Sequence, residues 1–160
     1  YLPENIKLLV LGVGPDFEKL RSLAKKIAVD KRVIFLGQIS HEEMPKYFKI
    51  SDVFVRPSLS EGLGNSFLEA MAAGIPVIAT SAGGIPDFLK DPSNSSGQAP
   101  TGLFCEVRNP KSIAEKVKML LENKELVQKI TANAKEMVIK NYDWDLIAQK
   151  MKNIFNKLCL

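Results

Sequence analysis

Short apolar runs alternate with longer stretches in which apolar residues return every three or four positions. Residues 6–11 are apolar except for Lys7 and stop at Gly12; that predicts a strand buried on both faces, as in a parallel sheet. Gly12-Val13-Gly14-Pro15-Asp16 is the turn, with Asp16 placed to cap a helix reaching about Val29. On that helix Phe17, Leu20, Leu23, Ala24 and Ile27 share one face. Residues 33–36 predict a second strand ending at Gly37, and Ser40 with Glu43 spells a capping box for a helix through about Lys49. Residues 53–55 form a third strand, ended by Arg56-Pro57-Ser58. A helix over about 66–73, closed by Gly74, leads to a fourth strand at 76–79. A short helix at 86–89 follows Gly83-Gly84. The Pro-, Ser-, Asn- and Gly-rich stretch 90–101 reads as an exposed loop, and 102–107 as a fifth strand. Beyond Pro110 all is helical, with Ile113, Val117, Leu120 and Leu121 on one face, then Leu126, Ile130, Ala134 and Val138. The last stripe, Trp144, Ile147, Ala148, Met151, Ile154, Phe155 and Leu158, reads most simply as core.

This alternation places the chain in the α/β class, as a Rossmann-like three-layer parallel sheet with helices on both faces. Ligands of such sheets bind beyond the C-terminal strand ends. The turns at 12–16, 37–40, 56–65 and 80–86 are therefore the candidate site. The stretch 58–79 stands out among them, because Glu61 and Glu69 bracket a glycine-rich turn that opens a helix. Such a start leaves backbone N–H groups unpaired and suits an anion. The flanking carboxylates suit a hydroxyl-rich ligand. Ser66-Phe67-Leu68-Glu69 also spells a capping box, which would account for Glu69 alone. It leaves Glu61, Gly62 and Gly64 unexplained. A dinucleotide fingerprint at Gly12-x-Gly14 is incomplete: Phe17 stands at the third glycine, and Gly37-Gln38 where an acidic residue would hold a ribose.

Composition narrows the function classes. A chain of 160 residues, 46% hydrophobic and 25% charged, is that of an ordinary globular domain. The net charge of +4 is too small to argue for nucleic acid. Cys105 and Cys159 match no metal or redox spacing, which points to a reducing compartment. No apolar run approaches the roughly 18 residues of a spanning helix, and Tyr1-Leu2-Pro3 opens no signal peptide. Asp143-Trp144-Asp145 has the spelling of a metal site, but Asp143 is a natural N-cap for the last helix, so no metal is assigned. His41, in a first helical turn, reads as solvated. Asn94-Ser95-Ser96 is a sequon of no consequence in a cytosolic enzyme. The lysines after Lys111 read as a solvated face, with attraction to anionic membrane as the weaker reading.

The segment from Glu61 to Ala79, Glu-Gly-Leu-Gly-Asn-Ser-Phe-Leu-Glu-Ala-Met-Ala-Ala-Gly-Ile-Pro-Val-Ile-Ala, closely resembles the Glu-x7-Glu signature of retaining family-4 glycosyltransferases. The resemblance continues through Leu11-Gly12-x-Gly14-Pro15, Val33-x-Phe35-Leu36-Gly37, Ser51-Asp52-Val53-Phe54-Val55-x-Pro57-Ser58, Gly83-Gly84 and the Trp144 helix, nearly the whole chain. It implies a GT-B architecture of two Rossmann-like domains, of which residues 1–160 would be the donor-binding one, with a helical tail from about 143. By position, Glu61 resembles the glutamate that faces the transferred sugar and Glu69 the one that holds the ribose hydroxyls. The backbone of Gly62, Leu63, Gly64, Asn65 and Ser66 would cradle the distal phosphate. Ser58 would join the donor site, Gly37 and Gln38 would lie near the base, and Gly12 and Gly14 would admit the donor. The implied reaction is retaining transfer from a nucleoside diphosphate sugar by same-face attack. Glu61 then acts as an orienting and electrostatic catalytic residue, and no cofactor is required.

The resemblance also implies a strand–helix unit carrying an Arg and a Lys for the departing diphosphate, and an N-terminal acceptor domain. Nothing before Ile6 corresponds to either, so the chain is expected to be a fragment of a longer enzyme in glycan or cell-surface polysaccharide synthesis, inactive alone. Arg56 reads as a surface arginine, with partial replacement of those cations as the other option. The expected location is cytoplasmic, peripheral at the inner membrane face through a lipid-linked acceptor. Two other readings stay open: a non-catalytic nucleotide-sugar binding module, and a GT-B-type sugar epimerase.

Overall fold

The computed structural model describes residues 1–94 and 97–158, so part of the sequon at Asn94, and Cys159, fall outside the described residues. The chain forms two compact units, Tyr1–Tyr47 and Phe48–Leu160. In the first, β1 (Leu8–Leu11) and β2 (Val33–Gly37) pair in parallel through the crossover helix α1 (Phe17–Lys26). The register runs from Leu8 opposite Val33 to Leu11 opposite Gly37, with an irregularity after Val10. Phe17 meets Phe35 edge-on at 5.5 Å, and Arg32 ties back the N-terminal segment by donating to the Pro3 carbonyl at 2.7 Å.

This unit is more open than its pattern predicts. Leu8, Leu20, Leu23, Ile27 and Ile34 are exposed, and Ala24 is the one buried residue of α1. The expectation that the first strand is covered on both faces fails. A strand in a two-stranded sheet has one ladder and few neighbours to bury it. The helix also ends at Lys26, three residues short of Val29. The helix expected from Ser40 begins only at Met44, as α2 (Met44–Lys49), with a turn ahead of it in which the Glu43 N–H reaches the Ser40 carbonyl.

The second unit carries the core. β3 (Phe54–Arg56), β4 (Val77–Thr80) and β5 (Leu103–Cys105) form a parallel sheet in that order, with β4 central. Helices α3 (Asn65–Ala72) and α4 (Ile85–Phe88) make the crossovers. All four residues of β4 are buried, as a continuous apolar run in a central parallel strand requires. Phe48, Phe54, Phe67 and Phe88 form a chain of aromatic contacts with centroids 6.0, 5.6 and 5.8 Å apart. Helix α3 ends as the pattern predicts: the Gly74 and Ile75 N–H groups return to the Met71 and Ala70 carbonyls, satisfying the last turn.

The stretch after α4 is less loop-like than its composition suggests. Asp91 is buried; its carboxylate accepts from the Ser93 N–H at 2.8 Å, the Ser93 hydroxyl at 2.5 Å and the Phe104 N–H at 2.6 Å. Burial alone would raise its pKa, but these hydrogen bonds and the nearby charge of Lys116 hold it below the ordinary 3.8. Thr101, also buried, closes the other end by donating to the Phe88 carbonyl and accepting from the Lys90 N–H. Helix α5 (Pro110–Glu122) starts on Asn109, whose side chain accepts from the Lys111 and Ser112 N–H groups. Helix α6 (Lys124–Tyr142) buries Ile130, Ala134 and Val138, the expected stripe.

The final stripe does not behave as core. Helix α7 (Trp144–Leu158) buries no residue, and Trp144 is 76% exposed. The helix touches α6, which covers one edge and leaves Met151, Ile154, Phe155 and Leu158 open. Its start does match: the Asp143 carboxylate accepts from the Asp145 and Leu146 N–H groups at 3.0 and 3.2 Å, as an N-cap does.

Candidate donor site

Because both sheets are parallel, their strands deliver the candidate turns at C-terminal edges. In the first unit Gly12 and Gly37 meet directly, the Gly12 N–H donating to the Gly37 carbonyl at 2.6 Å. Gly14 and Gln38 follow in the same pair of turns and are exposed. A side-chain carbon added at Gly12, Gly14 or Gly37 would meet nothing within 4 Å, so these turns face open space.

In the second unit the edge is crowded. After β3, the chain runs Arg56-Pro57-Ser58 into the turn that carries Glu61 and opens α3. Arg56 donates from Nη2 to Glu61 Oε2 at 2.8 Å and from Nη1 to Ser66 Oγ at 2.7 Å. Its guanidinium carbon lies 5.5 Å from the centroid of Phe67, a cation–π distance. The Ser58 hydroxyl donates to the same Glu61 oxygen at 3.3 Å. The Glu61 side chain is 14% exposed and that of Arg56 45%, so the carboxylate is largely enclosed while the guanidinium faces outward.

The backbone of this turn is held from the next strand. The Thr80 hydroxyl, buried at the end of β4, donates to the Ser58 carbonyl. The Gly84 N–H donates to the Glu61 carbonyl at 3.3 Å. Gly83 lies so close that an added Cβ would sit 1.8 Å from the Glu61 carbonyl oxygen, and one at Gly84 would sit 2.6 Å from that of Gly62. Gly83 also has φ +56°, so glycine is required twice over.

The start of α3 differs from the spelled capping box. Gly64, with φ +68°, occupies the N-cap position, and a Cβ there would strike the Phe67 ring at 2.6 Å. Ser66 is therefore the second helical residue, not the cap. Its hydroxyl accepts from Arg56 instead, so the Ser66–Glu69 reciprocal cap is not formed as spelled. No side chain accepts at the N-cap, and the exposed turn Gly62, Leu63 and Asn65 surrounds the helix start. Glu69 sits one turn further along α3, half-buried.

Of the residues expected at the site, Glu61 and Ser66 are joined through Arg56, Ser58 binds the same Glu61 oxygen, and Gly64 lies against Glu61 and Phe67; Gly12 and Gly37 meet at the other pair of strand ends. The residues that sequence reasoning undervalued are Arg56, Thr80 and the Gly83-Gly84 pair. A Gly-Gly step in the turn that follows a strand was the available signal for close backbone approach. The sequence offers Arg56 only as a surface arginine or a partial substitute for missing cations; its pairing with Glu61 and Ser66 is not spelled, since they lie five and ten positions onward.

The family described as Glycosyl transferases group 1 matches residues 2–137, most of the chain. The chain belongs to the group 1 glycosyl transferases. It is similar to the GDP-mannose-dependent alpha-(1-6)-phosphatidylinositol monomannoside mannosyltransferase of Mycobacterium tuberculosis, 34% identical over 155 residues, covering 92% of this chain and 38% of that protein. Among solved structures, sucrose-phosphate synthase from Thermosynechococcus elongatus superposes with a TM-score of 0.82 at 29% identity, covering 95% of this chain and 38% of that one. Anabaena HepE in complex with UDP-glucose superposes with a TM-score of 0.86 at 20% identity, over 98% of this chain and 42% of that one. That likeness concerns the fold, which is the α/β fold of GT-B glycosyltransferases. The chain spans about two fifths of the length of such group 1 relatives.

Proposed function

We propose that this chain is the donor-binding half of a retaining glycosyltransferase, holding a nucleoside diphosphate sugar beyond its C-terminal strand ends. The observation that carries the reading is the enclosed Glu61 carboxylate, fixed from side chain and backbone at the open start of α3. A pinned carboxylate beside a helix start that no side chain caps offers acceptors to sugar hydroxyls and donors to phosphate in one place. The Glu-x7-Glu spacing supports the division of roles: Glu61 to the transferred sugar, residues 62–66 to the distal phosphate, Glu69 to the ribose. UDP-glucose in the Anabaena relative and GDP-mannose dependence in the mycobacterial one make both bases candidates.

In the proposed reaction the bond between the anomeric carbon and the phosphate oxygen breaks as the acceptor oxygen bonds that carbon from the same face. The acceptor's proton passes to the departing phosphate. Charge develops on the sugar ring as positive and on the leaving group as negative, so a fixed carboxylate on the sugar side stabilises the first. Helix-start amides oppose the second. The acceptor is assigned to a further domain of a longer protein, in glycan or polysaccharide synthesis, with a lipid-linked acceptor bringing it to a membrane surface.

Titration of the chain with UDP, GDP and ADP and with UDP-glucose and GDP-mannose, alongside Glu69→Ala, tests the reading. One nucleoside diphosphate family should bind, and Glu69→Ala should weaken it by about tenfold through loss of a charge-assisted pair of hydrogen bonds. Unchanged nucleotide affinity with lowered stability would leave Glu69 a structural residue.

A further inference from the structure

Resting on this donor reading, we propose that Arg56 is a positioning residue for Glu61, setting the direction in which its carboxylate meets the donor's sugar. One guanidinium makes three contacts: Glu61 Oε2 at 2.8 Å, Ser66 Oγ at 2.7 Å, and the Phe67 ring at 5.5 Å. Phe67 is fully buried between Phe54 and Phe88, so the ring under the guanidinium is part of the core and does not yield. The two hydrogen bonds leave from different nitrogens of one rigid plane. Glu61 Oε2 and the second residue of α3 are thereby bridged by one rigid group through two hydrogen bonds. The Ser58 hydroxyl adds a second restraint on the same carboxylate oxygen.

A stabilising role explains this arrangement poorly. Arg56 is nearly half exposed, and ion pairs with such a partner contribute little to folding. An aiming role explains it well, because a carboxylate held between two donors keeps its other oxygen in one place. The pair also answers an electrostatic problem. An unpaired Glu61 would repel an incoming diphosphate, and the adjacent, half-exposed guanidinium reduces that repulsion without removing the carboxylate's charge. Lysine would keep the charge but lose the two-pronged geometry and the stacking.

Arg56→Lys therefore separates aim from charge. By calorimetry on the chain, its affinity for UDP, or for GDP if that is the base, should stay within about threefold, while the affinity for UDP-glucose or GDP-mannose falls by about tenfold, as for one charge-assisted hydrogen bond. The melting temperature should move little. In a Glu61→Gln background the same substitution should add less than about twofold, since coupled residues are not additive. Equal losses for diphosphate and sugar donor, or a full additional loss in the Glu61→Gln background, would overturn the role. Wild-type chain that binds no nucleoside diphosphate or its sugar would instead refute the donor reading beneath it.

Discussion

The glycine-containing turns after β1 and after β4 use their glycines in opposite ways. Around Gly12 and Gly14 a side-chain carbon would meet nothing within 4 Å. Around Glu61, the Gly83-Gly84 backbone comes so close that a single methyl group would collide with a carbonyl. The first turn is open space waiting to be filled. The second is a packed scaffold that fixes one carboxylate. Their surroundings differ in the same sense: Leu20, Leu23 and Ile27 of α1 are exposed, whereas Phe67, Ala70 and Met71 of α3 are fully buried. On the proposed donor reading, rigidity falls at the carboxylate assigned to the sugar, and openness at the turn assigned to donor entry.

The sharpest way to break this contrast is in the aromatic support under Arg56. Phe67→Ala removes a fully buried ring and should cost about 4 kcal/mol, read by urea denaturation, whereas Leu20→Ala on exposed α1 should cost under about 1 kcal/mol. Similar losses at the two positions would show that the units are equally packed. Gly83→Ala comes next, at about 3 kcal/mol from the collision with the Glu61 carbonyl and the positive φ. It should also weaken donor binding, because the Glu61 turn must shift to admit the methyl group.

Much of this was legible from the chain. Short apolar runs ended by glycine or proline specify parallel strands, and Asp143 announces a helix start through its own side chain. The Glu61–Glu69 spacing marked the candidate site. What stayed hidden depends on contacts between distant or conformationally unusual positions. The true start of α3 is a left-handed Gly64, which carries no side chain to spell a cap, so Ser66 looked like the cap and is instead a partner of Arg56. A helix-period stripe says that a face is apolar but not what covers it, and so α7 read as core although none of its residues is buried. The same limit applied to α1.

Smaller effects refine the comparison. Asp91→Asn should cost about 1–2 kcal/mol near neutral pH through weakened hydrogen bonds to Ser93 and Phe104. Because the folded-state pKa is lowered from 3.8, the contribution of Asp91 is fully present above that value. It is lost as pH falls through the lower folded value. The penalty of the substitution should therefore shrink in acid, and a pH-independent penalty would mean that packing rather than charge holds this loop. Smallest of all, Gly14→Ala should change stability by less than about 0.5 kcal/mol, having open space and no positive φ to oppose it. If the open turn lies on a donor's path, the effect of Gly14→Ala will be on binding alone.

The claim at the centre is that Glu61 is held for the sugar and not for the fold. Calorimetric titration of wild-type chain and Glu61→Gln with UDP and UDP-glucose, and with GDP and GDP-mannose, measures this directly. The account predicts that one diphosphate binds both proteins within about threefold, while its sugar conjugate loses about tenfold or more on Glu61→Gln. Equal affinities of the two proteins for the sugar conjugate, or equal losses for diphosphate and conjugate, would contradict it.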